Sequence, residues 1–296
     1  MKVKKWQAWF LAARPKTLPA AVVPVVIGAV LAAREAQVSM LLLAVILICA
    51  VLIQVLTNFA NDYFDYLKGA DTADRVGPLR VTQAGLVSPG EMRRALVVTV
   101  IIALLLGLYL VVQGGLPILI IGLVSLVLAF AYSAGPIPLS YSGLADIFVI
   151  VFFGPVATAG TFYLLRGTVG SDIILAGLAP GFISTAILTV NNLRDIEEDR
   201  KAKKLTLPAR FGASFAAAEY LLMFILAGLI PPLLVYLYDY SHAVILADLF
   251  LIPAFFLGRR VVAVNSLPEL NGVLAGTGGV LVLYCILFSL GISAGA

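Results

Sequence analysis

Histidine, cysteine and charge are what this 296-residue chain has least of. Its single histidine, His242, and its two cysteines, Cys49 and Cys285, both set inside apolar runs, exclude a Cys/His zinc site and a disulfide framework. Charged residues make up 12%, against 61% hydrophobic residues and a mean hydropathy of +1.06. No soluble globular domain of this size needs so much apolar surface, whereas a chain that crosses a lipid bilayer repeatedly does. A net charge of +4 gives no reason to expect a nucleic-acid partner. The first apolar run, bracketed by Arg14, Lys16 and Arg34, lacks a small-residue cleavage site and reads as a retained membrane helix.

Long apolar runs are what is present. We read nine spans, near 18–33, 40–62, 94–112, 116–133, 145–165, 173–193, 214–237, 243–263 and 273–293, which predicts an all-α, polytopic bundle forming one domain over 1–296. The segment before them, Met1 to Lys16, is basic and carries Trp6 and Trp9, as suits a short amphipathic stretch at headgroup level. Nine spans place the termini on opposite sides, and 18 of the 20 lysines and arginines then share the side of the N-terminus, with only Arg34 and Arg166 opposite. The positive-inside rule makes that side cytoplasmic. Gly276, Gly278 and Gly279 are expected to permit close helix packing.

Carboxylates and carboxamides sit in two places where a bilayer makes them costly. Asn58, Asn61, Asp62 and Asp65 fall in the last turns of the second span, and Asn191, Asn192, Asp195 and Asp199 at the end of the sixth. An acid inside a span costs roughly 2.5–3.5 kcal/mol on insertion scales and ordinarily faces a bundle interior or a wet cavity. An offset of 130 lays Asn61 on Asn191, Asp65 on Asp195, Pro78 on Pro208 and Arg80 on Arg210, with Asp62 on Asn192. This reads as a repeat of two halves, about 1–140 and 141–296, whose half-sites face each other.

On a helix Asn61 and Asp65, like Asp195 and Asp199, lie four apart, and Asp62 and Asp65 three apart, so each pair shares a face. A cage of such oxygens suits Mg²⁺, which binds one or two carboxylates together with a substrate's phosphates. Basic residues follow at once: Lys68, Arg75 and Arg80 after the first motif, and Arg194, Arg200, Lys201, Lys203, Lys204 and Arg210 around the second. Carboxylates, a divalent ion and cationic side chains together point to a bound diphosphate. At the mouth of an apolar bundle, a prenyl diphosphate fits, its head on the ions and its tail in the membrane. The cation left after ionisation calls for aromatic walls, with Tyr63, Phe64, Phe130, Tyr132, Tyr141, Phe148, Phe152 and Phe153 as candidates. A divalent-cation transporter is the rival from another class, but its ionisable residues belong near the midplane rather than at one end.

Asn61-Asp62-x-x-Asp65 and Asp195-x-x-x-Asp199 resemble the paired aspartate motifs of the UbiA superfamily of intramembrane aromatic prenyltransferases. The resemblance extends to Arg14–Pro19, Asn61–Asp71, Gly77–Gly85, Gly154-Pro155, Asn191–Asp195 and Leu207–Gly212, and is strongest to the branch whose acceptor is 1,4-dihydroxy-2-naphthoate, in menaquinone synthesis. It implies nine helices with both motifs cytoplasmic. It implies that Asn61, Asp65, Asp195 and Asp199 hold Mg²⁺ and that Lys68, Arg80, Lys201, Lys204 and Arg210 bind diphosphate. Arg14 and Lys16 would meet the acceptor, Tyr132 or Tyr141 would shield the cation, and Asp62 or Asp71 would serve as a base. The implied reaction is ionisation of the prenyl diphosphate, attack by the ring carbon bearing the carboxylate, and loss of CO₂. Other acceptors of the superfamily are 4-hydroxybenzoate, homogentisate and a glycerol phosphate. The chain departs from the superfamily at Gly69, where a third acid is common and whose role Asp71 would assume, and at Lys203 and Leu205, where relatives carry Gly and Arg. No sequence feature sets the oligomeric state.

Overall fold

A computed structural model describes residues 3–69, 77, 79–135, 138–264 and 266–295, and these are helical with no strand among them. The α-helices are α1 (Lys5–Ala13), α2 (Leu18–Glu35), α3 (Met40–Leu67), α4 (Pro89–Ala131), α5 (Leu139–Ser142), α6 (Ala145–Val151) and α7 (Ala157–Arg166). They continue with α8 (Ser171–Arg194), α9 (Ile196–Lys201), α10 (Leu207–Phe211), α11 (Ala213–Tyr238), α12 (Leu251–Val262) and α13 (Leu270–Ala294). A 3₁₀ run, His242–Phe250, leads into α12.

The ends of these helices are written in the local sequence. Ser39 caps α3 by accepting from Leu42 N. Ser88 opens α4 with a capping box, its Oγ accepting from Glu91 N while Glu91 Oε2 accepts from Ser88 N at 2.8 Å. Glu91 also takes Lys5 Nζ at 2.8 Å, tying α1 to the start of α4. Gly69 takes φ +63° just past the C-cap of α3. A glycine there stops the helix without steric penalty.

The 43 residues of α4 would make a straight rod of about 65 Å, twice the hydrocarbon thickness of a bilayer. They do not form one. Gly115 leaves the helical region at φ 65°, ψ −150°, and Leu96 and Ala129 lie in one packed cluster while Leu110 and Ile118 share another. The helix therefore folds back at Gly115, and its two arms cover the runs read as 94–112 and 116–133.

Helix α8 is the axis of the bundle and is enclosed along most of its length, packing on α11, α13 and the α6–α7 pair. The α6–α7 pair is one apolar stretch interrupted by a π-turn, Phe152–Val156, in which Gly154 departs from helical angles. The interruption lets backbones touch. A Cβ at Gly154 would stand 2.7 Å from Gly177 O, one at Gly177 2.7 Å from Pro155 Cα, and one at Gly181 would run into Ile150 O. Close backbone approach thus occurs at Gly154, Gly177 and Gly181, as it does at Gly28 against Thr158 O and, in the last helix, at Gly291 against Ala243 O. In the last helix a Cβ at Gly276 meets only the Leu257 side chain, at Gly278 only Lys16 O at 3.4 Å, and at Gly279 nothing. Gly181→Val is expected to lower stability by about 1–3 kcal/mol through forced backbone separation, read as a fall in Tm in detergent. The same substitution at Gly279 is expected to leave Tm within a degree or two.

Among the described residues seven helical stretches are long and apolar enough to cross a membrane. Their outward faces carry exposed large side chains such as Leu105, Val112 and Val127 on α4 and Ile225 and Leu229 on α11. Contiguous apolar surface on that scale needs lipid around it, so this is an integral membrane protein.

Candidate active site

The last three turns of α3 carry Asn58, Asn61, Asp62 and Asp65 inward, all four buried. Asp65 has no exposure, and three donors converge on its Oδ2: Asn61 Nδ2 at 3.0 Å, Lys204 Nζ at 3.0 Å and Arg80 Nη2 at 3.4 Å. Its Oδ1 is buried and has no hydrogen-bond partner among the described residues. Asn61 is oriented from both sides, its Oδ1 accepting from Arg14 Nη2 at 2.8 Å and its Nδ2 reaching Ser133 Oγ at 2.9 Å.

Asp62 does something different from what was expected. Its oxygens accept from the backbone N–H groups of Val81 and Thr82, at 3.1 Å each, and it does not line the cavity beneath the motifs. It clamps the loop that delivers Arg80 to Asp65. Asp71, the other candidate base, lies outside the described residues.

The second motif is built around Arg194, which is 1% exposed. Its Nε and Nη2 grip the two oxygens of Asp195 at 2.6 and 2.8 Å, Nη2 also reaches Asn191 Oδ1 at 2.9 Å, and Nη1 reaches Asn271 Oδ1 at 3.2 Å at the start of α13. Asp199, one turn on, accepts from Thr206 Oγ1 at 3.1 Å. The chain reverses at Lys203, which takes φ 56°, a left-handed position that glycine occupies more easily. The reversal lets Lys204 N donate to Asp199 O at 2.8 Å while its ammonium reaches Asp65.

The two motifs therefore meet. Tyr141 lies between them, its ring 4.8 Å from Lys68 Nζ and 5.1 Å from Lys204 Nζ, so it is a platform for two ammonium groups rather than part of the cavity wall. Lys68 also donates to Ser133 O at 2.7 Å. Partial burial pulls its ammonium below the ordinary lysine range, Asp65 opposing and the neighbouring Lys204 adding to the shift.

Below the motifs lies a cavity of about 480 Å³. Arg14, Asn61, Arg80, Asp195, Asp199 and Lys204 line its polar end, and Ile46, Cys49, Leu104 and Leu108 its apolar end. From Asn61 to Ile46 it follows α3 for about 22 Å. Of the aromatic candidates Tyr132, Phe148, Phe152 and Phe153 line it, with Phe148 and Phe152 stacked at 6.4 Å. Tyr63, Phe64 and Phe130 instead pack against the cluster around Leu56 and Met92. Lys16, Lys201 and Arg210 are exposed and do not line the cavity. Ser133, Thr206, Gln54 and Thr17 are the polar residues that reading the sequence did not single out, and Arg194, read there among the basic residues of the second motif, holds the motif's own carboxylate.

The donor set fits Mg²⁺. Among the described residues no three carboxylate, histidine or cysteine side chains converge on one point, but Mg²⁺ needs only one or two carboxylates beside water and substrate oxygens. Asp65 Oδ1 is a buried, unpartnered oxygen of the kind it takes.

The sequence profile of the UbiA prenyltransferase family matches residues 21–271. The 1,4-dihydroxy-2-naphthoate octaprenyltransferase of Haemophilus influenzae is 36% identical over 308 aligned positions, covering 99% of this chain and 97% of that one. That of Escherichia coli is 42% identical over 217 residues, covering 71% and 70%. Among solved structures, a UbiA homolog from Archaeoglobus fulgidus bound to GPP and Mg²⁺ superposes with a TM-score of 0.66 at 18% identity, over 97% of this chain and 99% of that one. At such identity the last likeness speaks for the fold alone. The chain belongs to the UbiA prenyltransferase family.

Proposed function

We propose that this protein transfers a polyprenyl group from a prenyl diphosphate to 1,4-dihydroxy-2-naphthoate, releasing diphosphate and CO₂, as the membrane step of menaquinone synthesis. One observation carries the reading. Lys204 of the second motif bonds Asp65 of the first at the polar end of a cavity whose other end is apolar, a shape suited to a substrate with an anionic head and a hydrocarbon tail.

Asn61, Asp65, Asp195 and Asp199 would hold Mg²⁺, which when bound neutralises charge on the departing diphosphate. Arg80, Lys204 and Lys68 draw the diphosphate to the same place, the two lysines held in register by Tyr141. Tyr132, Phe148 and Phe152 keep water from the allylic cation and present electron-rich faces to it. The attacked ring carbon loses CO₂ rather than a proton. Rearomatisation there needs no base, which accords with Asp62 having both oxygens committed to backbone.

The membrane arrangement belongs to the same proposal. Dividing α4 at Gly115 and adding the His242–Val262 run raises seven crossings to nine, and the segregation of lysine and arginine then puts the N-terminus and the active site on the cytoplasmic side. The shared cavity supports a single domain of two facing halves.

The test is turnover by purified protein in lipid with Mg²⁺, a prenyl diphosphate and a panel of acceptors. Diphosphate and CO₂ released one for one with dihydroxynaphthoate is the expected result. Diphosphate release without CO₂, and only with another acceptor, would overturn the acceptor.

A further inference from the structure

Gln54 lines the cavity away from the diphosphate end. It precedes Asn61 by two turns of α3, about 10 Å along the helix, and is 8% exposed. Its Nε2 donates to Thr17 Oγ1 at 3.2 Å. The sense of that bond is fixed, because Thr17 Oγ1 donates its one proton to Arg14 O at 2.9 Å and also accepts from Asn58 Nδ2 at 3.3 Å. Turning the amide over would set two acceptors against each other. The remaining atom, Gln54 Oε1, is therefore an acceptor only, and it is buried without a hydrogen-bond partner among the described residues. Leaving it so is unfavourable, and a ligand hydroxyl would relieve it. A prenyl tail has no donor to offer.

Arg14 lines the same cavity, with its carbonyl on Thr17 and its guanidinium on Asn61. Arg14, Thr17 and Gln54 thus form one connected wall, cationic at the diphosphate end and hydroxyl-accepting deeper down. We infer that this wall is the acceptor subsite, resting on the function proposed above. The carboxylate of the hydroxynaphthoate lies toward Arg14, and Gln54 Oε1 accepts from the ring hydroxyl remote from that carboxylate. The hydroxyl beside the carboxylate shares its proton with it internally, so the remote one is the free donor. Gln54 is then a specificity determinant for hydroxylated acceptors, and Lys16 has no part in holding them.

The experiment compares binding of 1,4-dihydroxy-2-naphthoate and of 1-hydroxy-2-naphthoate, which lacks the remote hydroxyl, to wild-type protein and to Gln54→Leu in lipid nanodiscs. Wild type is expected to prefer the dihydroxy compound roughly tenfold. In Gln54→Leu that preference collapses toward one, while the KM for the prenyl diphosphate is unchanged. A destabilised fold weakens both ligands together and leaves the ratio intact, so an unchanged ratio overturns the subsite even where both affinities fall. Turnover of dihydroxynaphthoate by wild type with the ratio preserved in the variant removes the subsite and keeps the function. Wild-type turnover confined to a different hydroxyarene, with a tenfold loss for it in Gln54→Leu relative to its deoxy analogue, keeps the subsite and removes the naphthoate.

Discussion

Asp65→Asn is expected to lower kcat by about 10²–10³-fold or more without unfolding the protein. Asp65 Oδ2 collects an amide, an ammonium and a guanidinium drawn from three segments of the chain, and its other oxygen is the unpartnered one. Asparagine keeps the size and removes the charge. Arg80, Lys204 and Lys68 then face one another with less compensation, and the oxygen that would hold Mg²⁺ becomes a poorer ligand or an N–H donor. Raising Mg²⁺ is expected to recover part of the activity, because affinity for the ion is among the things lost. Asp62→Asn provides the contrast. One carboxamide oxygen can satisfy only part of what two carboxylate oxygens give Val81 and Thr82, so its effect is expected to appear first as a lower Tm and a higher KM for the diphosphate substrate. Initial rates over a Mg²⁺ series, with Tm measured on the same preparations, separate the two. Asp65→Asn within tenfold of wild type at every Mg²⁺ concentration would remove Asp65 from the metal site.

Much of this architecture follows from periodicity and composition, and the exceptions have physical causes. The long apolar runs and their punctuation placed the membrane helices, because a bilayer leaves the backbone few choices. The paired motifs marked the polar end of the cavity, since buried acids at helix ends are expensive unless used. What the sequence did not reveal is direction. Asp62 and Asp65 are three apart on a helix and differ by about 60° in azimuth, enough to turn one toward a loop backbone and the other toward the cavity. The offset of 130 makes Arg80 and Arg210 equivalent, yet Arg80 is 7% exposed and bonded to Asp65 while Arg210 is exposed and lies over the Phe211 ring. The clamp explains the difference. Asp62 pulls the first loop inward, whereas its counterpart Asn192 lines the cavity itself. The glycines tell a similar story: Gly276, Gly278 and Gly279 make no tight backbone contact, whereas Gly291 one turn before the end of that helix does, as does Gly154 where it interrupts a helix opposite Gly177 and Gly181, a pairing distant in sequence.

Arg194→Leu is expected to be among the most damaging single changes to stability, by about 3–5 kcal/mol. Four hydrogen bonds from one guanidinium hold Asp195, Asn191 and Asn271, joining the end of α8 to the start of α13. Leucine fills the space but leaves Asp195, 4% exposed, as a carboxylate stripped of its bidentate partner. An uncompensated buried charge is the costly case, more so than the loss of the pair as a whole. Removing both charges should therefore hurt less than removing one. The double variant Arg194→Leu, Asp195→Asn is expected to recover part of the lost Tm while remaining inactive, because Asp195 lines the cavity and is assigned to Mg²⁺. Arg194→Lys is expected to fall between, since an ammonium cannot grip both carboxylate oxygens in the plane that Nε and Nη2 define. Thermal unfolding of the four proteins in one lipid settles the matter. A double variant less stable than Arg194→Leu would mean that Arg194 acts through packing rather than by neutralising Asp195, and that the carboxylate finds its compensation elsewhere in the site.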